Sequence, residues 1–175
     1  MPTAAVLSNA GFHVRGVDIN QDIVDIVNNG DIHIIEPGLN ELIAKSVKAG
    51  SLVASTEVQK SDIFVIAVPT PFKGTNHAPD LSYIKKAAQN ISSVLKQGDL
   101  VILESTSPVG TTEQLKKWLL QGDSKELNIH IAYCPERVMP GNIMNELIEN
   151  DRVIGGMDKA SSELSECFYK QFITG

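Results

Sequence analysis

Apolar positions recur along this chain in two rhythms. Short β-branched runs alternate with stripes spaced three to four residues apart, and turn residues separate them. Residues 13–19 read as a strand with Asp18 near its end. Residues 21–29 follow as a helix, with Ile23, Val24, Ile26 and Val27 on one face and Gly30 as the C-terminal cap. Residues 37–48 carry a second helical stripe (Leu39, Leu42, Ile43, Val47), closed by Gly50. Residues 63–68 are apolar at every position, the pattern of a strand covered on both faces. Asp80 caps a helix carrying Leu81, Ile84, Ala88, Ile91 and Leu95. A strand at 100–103, a helix through Leu115, Trp118 and Leu119, a strand at 128–133 and a short helix continue the series. A strand at 152–154 and a helix at 159–172 close it. The alternation predicts an α/β fold, a doubly wound parallel sheet with helices on both faces.

Residues 3–10 read as helical, with Gly11 as cap, so the chain opens without the strand that such a sheet places in its middle. Both ends are expected to be cut. A glycine-rich phosphate loop of the G-x-G-x-x-G kind is absent from the chain and is expected ahead of Met1.

Composition narrows the class. Fifteen basic residues against twenty-one acidic ones leave a net charge of −6, which argues against gripping nucleic acid. The apolar run at 63–68 is far short of the roughly 20 residues a membrane helix needs. No basic region precedes an apolar stretch at the N-terminus. Two cysteines make neither a disulfide framework nor a four-ligand zinc site, and the four histidines lack helical pairing, so no metal is expected. A cytoplasmic protein is expected.

Candidate chemistry gathers where strands end. Asp18 suits the ribose hydroxyls of NAD and disfavours the extra phosphate of NADP, although it equally suits a helix-capping turn. Pro69, Thr70 and Pro71 follow the 63–68 strand and are placed to line a cofactor cleft, or to form a structural turn. Residues 104–112 offer hydroxyls at a helix start, where free N–H groups can hold an anion or simply be capped. Asp18, Thr70 and Thr106 are expected along one rim. In the loop at 134–142, Glu136 could act as a general base and Arg137 could pair with a phosphate, or the two could form a surface ion pair. Cys134 reads as a buried thiol, and Cys167, on a stripe with Leu164 and Phe168, reads as core together with Trp118.

The strings at 2–5 (PTAA), 17–20 (VDIN), 36–39 (EPGL), 68–71 (VPTP), 104–106 (EST) and 135–137 (PER) resemble, in order, the UDP-glucose/GDP-mannose dehydrogenase family. ERVMPGN at 136–142 and ENDRVIGG at 149–156 look most like the branch acting on UDP-N-acetyl-D-mannosamine. The resemblance implies NAD-dependent oxidation of a UDP-sugar C6 alcohol to the uronic acid by two hydride transfers, through an aldehyde and a thioester, for surface polysaccharide. It implies that Asp18, Pro69, Thr70, Pro71, Ser105, Thr106 and Thr112 serve NAD. It further implies that Glu136 lies beside the reacting carbon and that Arg137 and Val138 meet the sugar nucleotide. Residues 1–175 then form an incomplete N-terminal NAD-binding domain, with a central helix, a C-terminal UDP-sugar domain and the nucleophilic cysteine outside it. The full-length enzyme is expected to be a homo-oligomer and the chain alone inactive. Pro140 stands where UDP-glucose dehydrogenases often carry a second carboxylate, which favours an N-acetylhexosamine substrate. UDP-N-acetylglucosamine, UDP-glucose and a non-catalytic truncated remnant remain alternatives.

Overall fold

The computed structural model describes residues 1–74 and 77–175. In chain order the helices are α1 (Pro2–Asn9), α2 (Gln21–Asn28), α3 (Leu39–Lys48), α4 (Ser82–Ser92), α5 (Thr111–Leu119), α6 (Ile143–Glu149) and α7 (Lys159–Tyr169). The strands are β1 (Val14–Val17), β2 (Leu52–Ser55), β3 (Ile63–Ile66), β4 (Phe72–Lys73), β5 (Ala78–Pro79), β6 (Leu100–Leu103), β7 (His130–Tyr133) and β8 (Gly155–Gly156). The chain forms two compact units. The first comprises residues 1–58, 137–151 and 169–175, and the second residues 59–136 and 152–168.

In the first unit, β1 and β2 pair in parallel, Val14 opposite Leu52. Ala5, Val24, Val27, Leu39, Ile43, Leu52 and Ala54 form the core beneath them, with Ile23, Leu42 and Val47 packed at its margin. These are the stripes the periodicity marks on α2 and α3. Asn28 pins the end of α2 to β2: its side chain accepts from the Ala54 N–H at 2.8 Å and donates to the Ala54 carbonyl at 3.0 Å. α1 meets α3 through a buried hydrogen bond between the hydroxyls of Ser8 and Ser46 at 2.7 Å. After α2 the chain turns through Gly30 at φ +82°, where a Cβ would lie 3.2 Å from the Cα of Ala44. Only glycine enters both that conformation and that space without strain. β2 is absent from the sequence expectation, and β1 is shorter than 13–19.

In the second unit the strand order is β3–β6–β7–β8. β6 is buried at every position, with β3 and β7 parallel to it on either side. In β3 only Phe64 and Ile66 are buried, so the expected strand covered on both faces is corrected to one in which alternate positions are buried and Ala67 is exposed. α4 and α5 pack together, and hydroxyls close their ends: Ser92 donates to the Leu119 carbonyl and Ser124 to the Ser92 carbonyl, both at 2.6 Å. The expected strand at 152–154 is instead β8, antiparallel to the end of β7. Trp118 is half-buried and Cys167 exposed, contrary to the expectation of core. α7 turns inward the face bearing Ser161, Ser165, Phe168 and Tyr169, with Leu164 43% exposed. Serine suits that face because its hydroxyls are satisfied there. Ser165 donates to the Ser161 carbonyl at 2.8 Å, and the Ser161 hydroxyl accepts from the Ile131 N–H at 3.2 Å. The architecture is α/β, Rossmann-like and dominated by parallel pairing. β1 and β3 each pair along a single edge among the described residues.

Candidate functional site

The loops leaving the carboxyl ends of β3, β6 and β7 are laced together. The Thr70 hydroxyl donates to the Thr106 carbonyl at 2.9 Å. Ser105 is buried, and its hydroxyl proton is shared between the carbonyls of Val68 at 2.7 Å and Ile66 at 3.2 Å. The Ser107 N–H donates to the Tyr133 hydroxyl at 3.2 Å, and the Glu136 N–H to the Glu104 carbonyl at 3.3 Å. Three neighbouring strands therefore deliver Thr70, Ser105, Thr106 and Glu136 to one edge of the second unit. Ligands of open α/β sheets bind at such an edge. Pro69 and Pro71 flank Thr70 in the exposed turn. Thr106 is exposed, whereas the Thr112 hydroxyl donates to its neighbour Glu113 at 3.2 Å.

Glu136 pairs with Arg152. Its Oε2 accepts from Nη1 of Arg152 at 2.9 Å, and the Arg152 side chain is only 7% exposed against 23% for Glu136. A buried guanidinium beside a carboxylate keeps that carboxylate in one orientation. Sequence reasoning missed Arg152 because it placed the residue in a strand. The signal that could have found it is a lone arginine between an acidic segment and two apolar residues, close after the Glu136 loop.

In the first unit, Asp18 follows β1. Its Oδ1 accepts from the Asn20 N–H at 2.9 Å, while Asn20 itself caps α2 by accepting from the Asp22 N–H at 2.9 Å. Asp18 is thus set in a turn without being the cap. Arg137 is exposed and its Nη2 donates to the Asp151 carbonyl at 2.8 Å, while Val138 is half-buried. An open hollow of about 250 Å³, lined by Gly38, Glu41, Leu42, Lys45 and Met144, contains none of these residues. Cys134 is fully buried at the end of β7. Among the described residues no cluster of three His, Cys, Asp or Glu side chains could hold a metal, and no helix is long and apolar enough to cross a membrane.

A parallel-stranded α/β fold whose strand-end loops carry carboxylate and hydroxyl side chains has the chemistry of a dinucleotide-binding domain. The Asp18 carboxylate is chemically suited to a ribose diol, and Thr70 and Thr106 present polar groups at strand ends. These groups fit part of such a cofactor. Residues 1–173 match the UDP-glucose/GDP-mannose dehydrogenase family, NAD binding domain, and the chain belongs to that family. It is 53% identical to a UDP-N-acetyl-D-mannosamine dehydrogenase of Campylobacter jejuni, over all of this chain and 45% of that protein. It is 51% identical to an NDP-N-acetyl-D-galactosaminuronic acid dehydrogenase of Ralstonia nicotianae, over all of this chain and 43% of that one. The solved UDP-N-acetyl-mannosamine dehydrogenase of Staphylococcus aureus superposes with a TM-score of 0.92 at 38% identity, covering 99% of this chain and 43% of the other. The chain thus spans less than half the length of these relatives.

Proposed function

We propose that residues 1–175 supply the cofactor-binding part of an NAD-dependent enzyme that oxidises the C6 alcohol of UDP-N-acetyl-D-mannosamine to the uronic acid. The observation that carries this reading is the braced edge of the second unit, where Arg152 holds Glu136 and the Thr70 hydroxyl ties its loop to Thr106. In it Glu136, its carboxylate held by Arg152, takes the proton of the alcohol as a general base while the hydride leaves to NAD. Asp18, whose Oδ1 is committed to Asn20, receives a ribose hydroxyl on Oδ2. Thr70, Thr106 and Thr112, with the turn at Pro69 and Pro71, line the cofactor cleft. Ser105 contributes by fixing the loops. Arg137 and Val138 meet the sugar nucleotide. NAD, when bound, supplies the hydride acceptor. A second reading, an N-acetylgalactosamine substrate, is favoured by the relative from Ralstonia nicotianae.

The test is isothermal titration of the chain with NAD and with NADP, followed by titration with UDP-N-acetylmannosamine, UDP-N-acetylgalactosamine and UDP-glucose. Wild type should prefer NAD. Asp18→Asn should lose about tenfold or more in NAD affinity, the worth of a hydrogen bond to a charged group. Equal affinity of wild type for NAD and NADP would overturn the cofactor assignment.

A further inference from the structure

The segment at 137–142, with Arg137 and Val138, is fixed from an unexpected direction. Glu36 is 6% exposed and lies more than a hundred positions upstream. Its Oε2 accepts from the Gly141 N–H at 2.9 Å and its Oε1 from the Ile143 N–H at 2.7 Å. The second of these N–H groups opens α6, whose own N-cap residue, Asn142, makes no side-chain capping bond. A carboxylate therefore serves an N–H that the helix leaves without an intrahelical partner.

Glu36 is itself held in place. Pro37 restricts residue 36 to extended backbone, and the Glu36 carbonyl accepts from the N–H of fully buried Leu39 at 3.2 Å. The carboxylate is thus carried on a rigid entry to α3. On the other side, Glu146 accepts from the Met139 N–H at 2.8 Å and from the Asn142 side chain at 3.2 Å, but it belongs to α6 and moves with the segment. Glu36 anchors the segment to the core of the first unit.

We infer that Glu36 is the positioning residue of the 137–142 segment, setting where Arg137 and Val138 stand for the sugar nucleotide. The sugar-nucleotide half of this inference rests on the function proposed above.

Backbone amide hydrogen exchange of the whole chain tests it, comparing wild type with Glu36→Ala and the near-isosteric Glu36→Gln. Removing both acceptors should speed exchange at Gly141 and Ile143 by about tenfold or more, with amides of β6 unchanged. Glu36→Gln keeps one acceptor oxygen, so one of the two amides should stay protected. Unchanged protection at both in Glu36→Ala overturns the inference. In parallel, UDP-N-acetylmannosamine is titrated against each form. The dissociation constant should rise with the loss of protection and be partly restored in Glu36→Gln. A role confined to stability would lower the melting temperature and leave that constant unchanged, which also overturns it. If wild type itself binds no sugar nucleotide, the sugar-nucleotide half of this inference fails and the exchange data still decide the role of Glu36.

Discussion

Glu136 and Arg152 form the ion pair on which the proposed chemistry depends, and a double-mutant cycle measures it. Arg152 is 7% exposed and Glu136 23%, so the two are unequally able to recover water when the partner is removed. Breaking a fully buried pair by deleting one member costs about 3–5 kcal/mol, because the charge left behind loses its compensation. Glu136→Ala leaves the more buried guanidinium without this carboxylate, and the partial exposure of the site lowers the expected cost to about 3 kcal/mol. Arg152→Met keeps most of the apolar stem and leaves a carboxylate that water already reaches, at a cost of about 1–2 kcal/mol. Once one charge is gone the second loss matters less. The double variant should therefore fall short of additivity by about 1–3 kcal/mol. Urea unfolding of the four forms, followed by circular dichroism, reads these differences against a total stability of about 5–15 kcal/mol. The reasoning fails if Arg152→Met is the more damaging single change. It fails equally if the two changes add within about 0.5 kcal/mol.

Two further changes test the local structure. Gly30→Ala should lower the melting temperature by more than Gly50→Ala: both glycines have positive φ, but only at Gly30 would the Cβ meet a neighbour, the Ala44 Cα at 3.2 Å. With about 1–2 kcal/mol for the left-handed conformation alone, equal melting temperatures would remove the close-approach argument. The second is acid stability. The hydroxyl and N–H of Ser82 hold the Asp80 carboxyl below its usual range, and the N–H and hydroxyl of Ser161 do the same for Asp158. Their contribution is complete above the ordinary value of 3.8 and is lost as pH falls through the depressed values. Asp80→Asn/Asp158→Asn should therefore flatten the loss of thermal stability below about pH 4, and an unchanged slope would refute it. Burial pushes the Asp99 carboxyl up, so its contribution has the opposite sign, favouring the fold at low pH and weakening as pH rises.

The elements that the chain announces are those whose signal is local. α2 and α3 combine an apolar stripe with a terminal glycine, and β6 is an uninterrupted apolar run, and all three fall where the pattern places them. β2 is Leu-Val-Ala-Ser, with one β-branched residue. Its strand character comes from pairing with β1 and from the Asn28 amide that bonds both polar groups of Ala54. β8 is two glycines with no side chain to pack, and it exists because the edge of β7 is there to receive it. In α7, a search for apolar residues selects Leu164 and Cys167, yet the serines face inward because their hydroxyls find main-chain partners.

The candidate site divides along the same line. Glu136, Thr70 and Thr106 were legible because each stands directly after a strand, and strand ends share an edge by topology alone. The groups that orient the site were not legible. Arg152 reaches Glu136 across sixteen positions, and Glu36 reaches the 137–142 segment across more than a hundred. Both are charged residues that local pattern assigns to solvent. Both are nearly buried because a specific partner offsets the loss of water. A charged side chain at such a depth is costly unless it is paired, so each of these two holds its partner in a fixed orientation. Arg152 falls next to Glu136, and Glu36 next to the segment carrying Arg137. Substituting Arg152 or Glu36 should therefore disturb the geometry of the site before it disturbs the core formed by Leu39, Ile43 and Leu52.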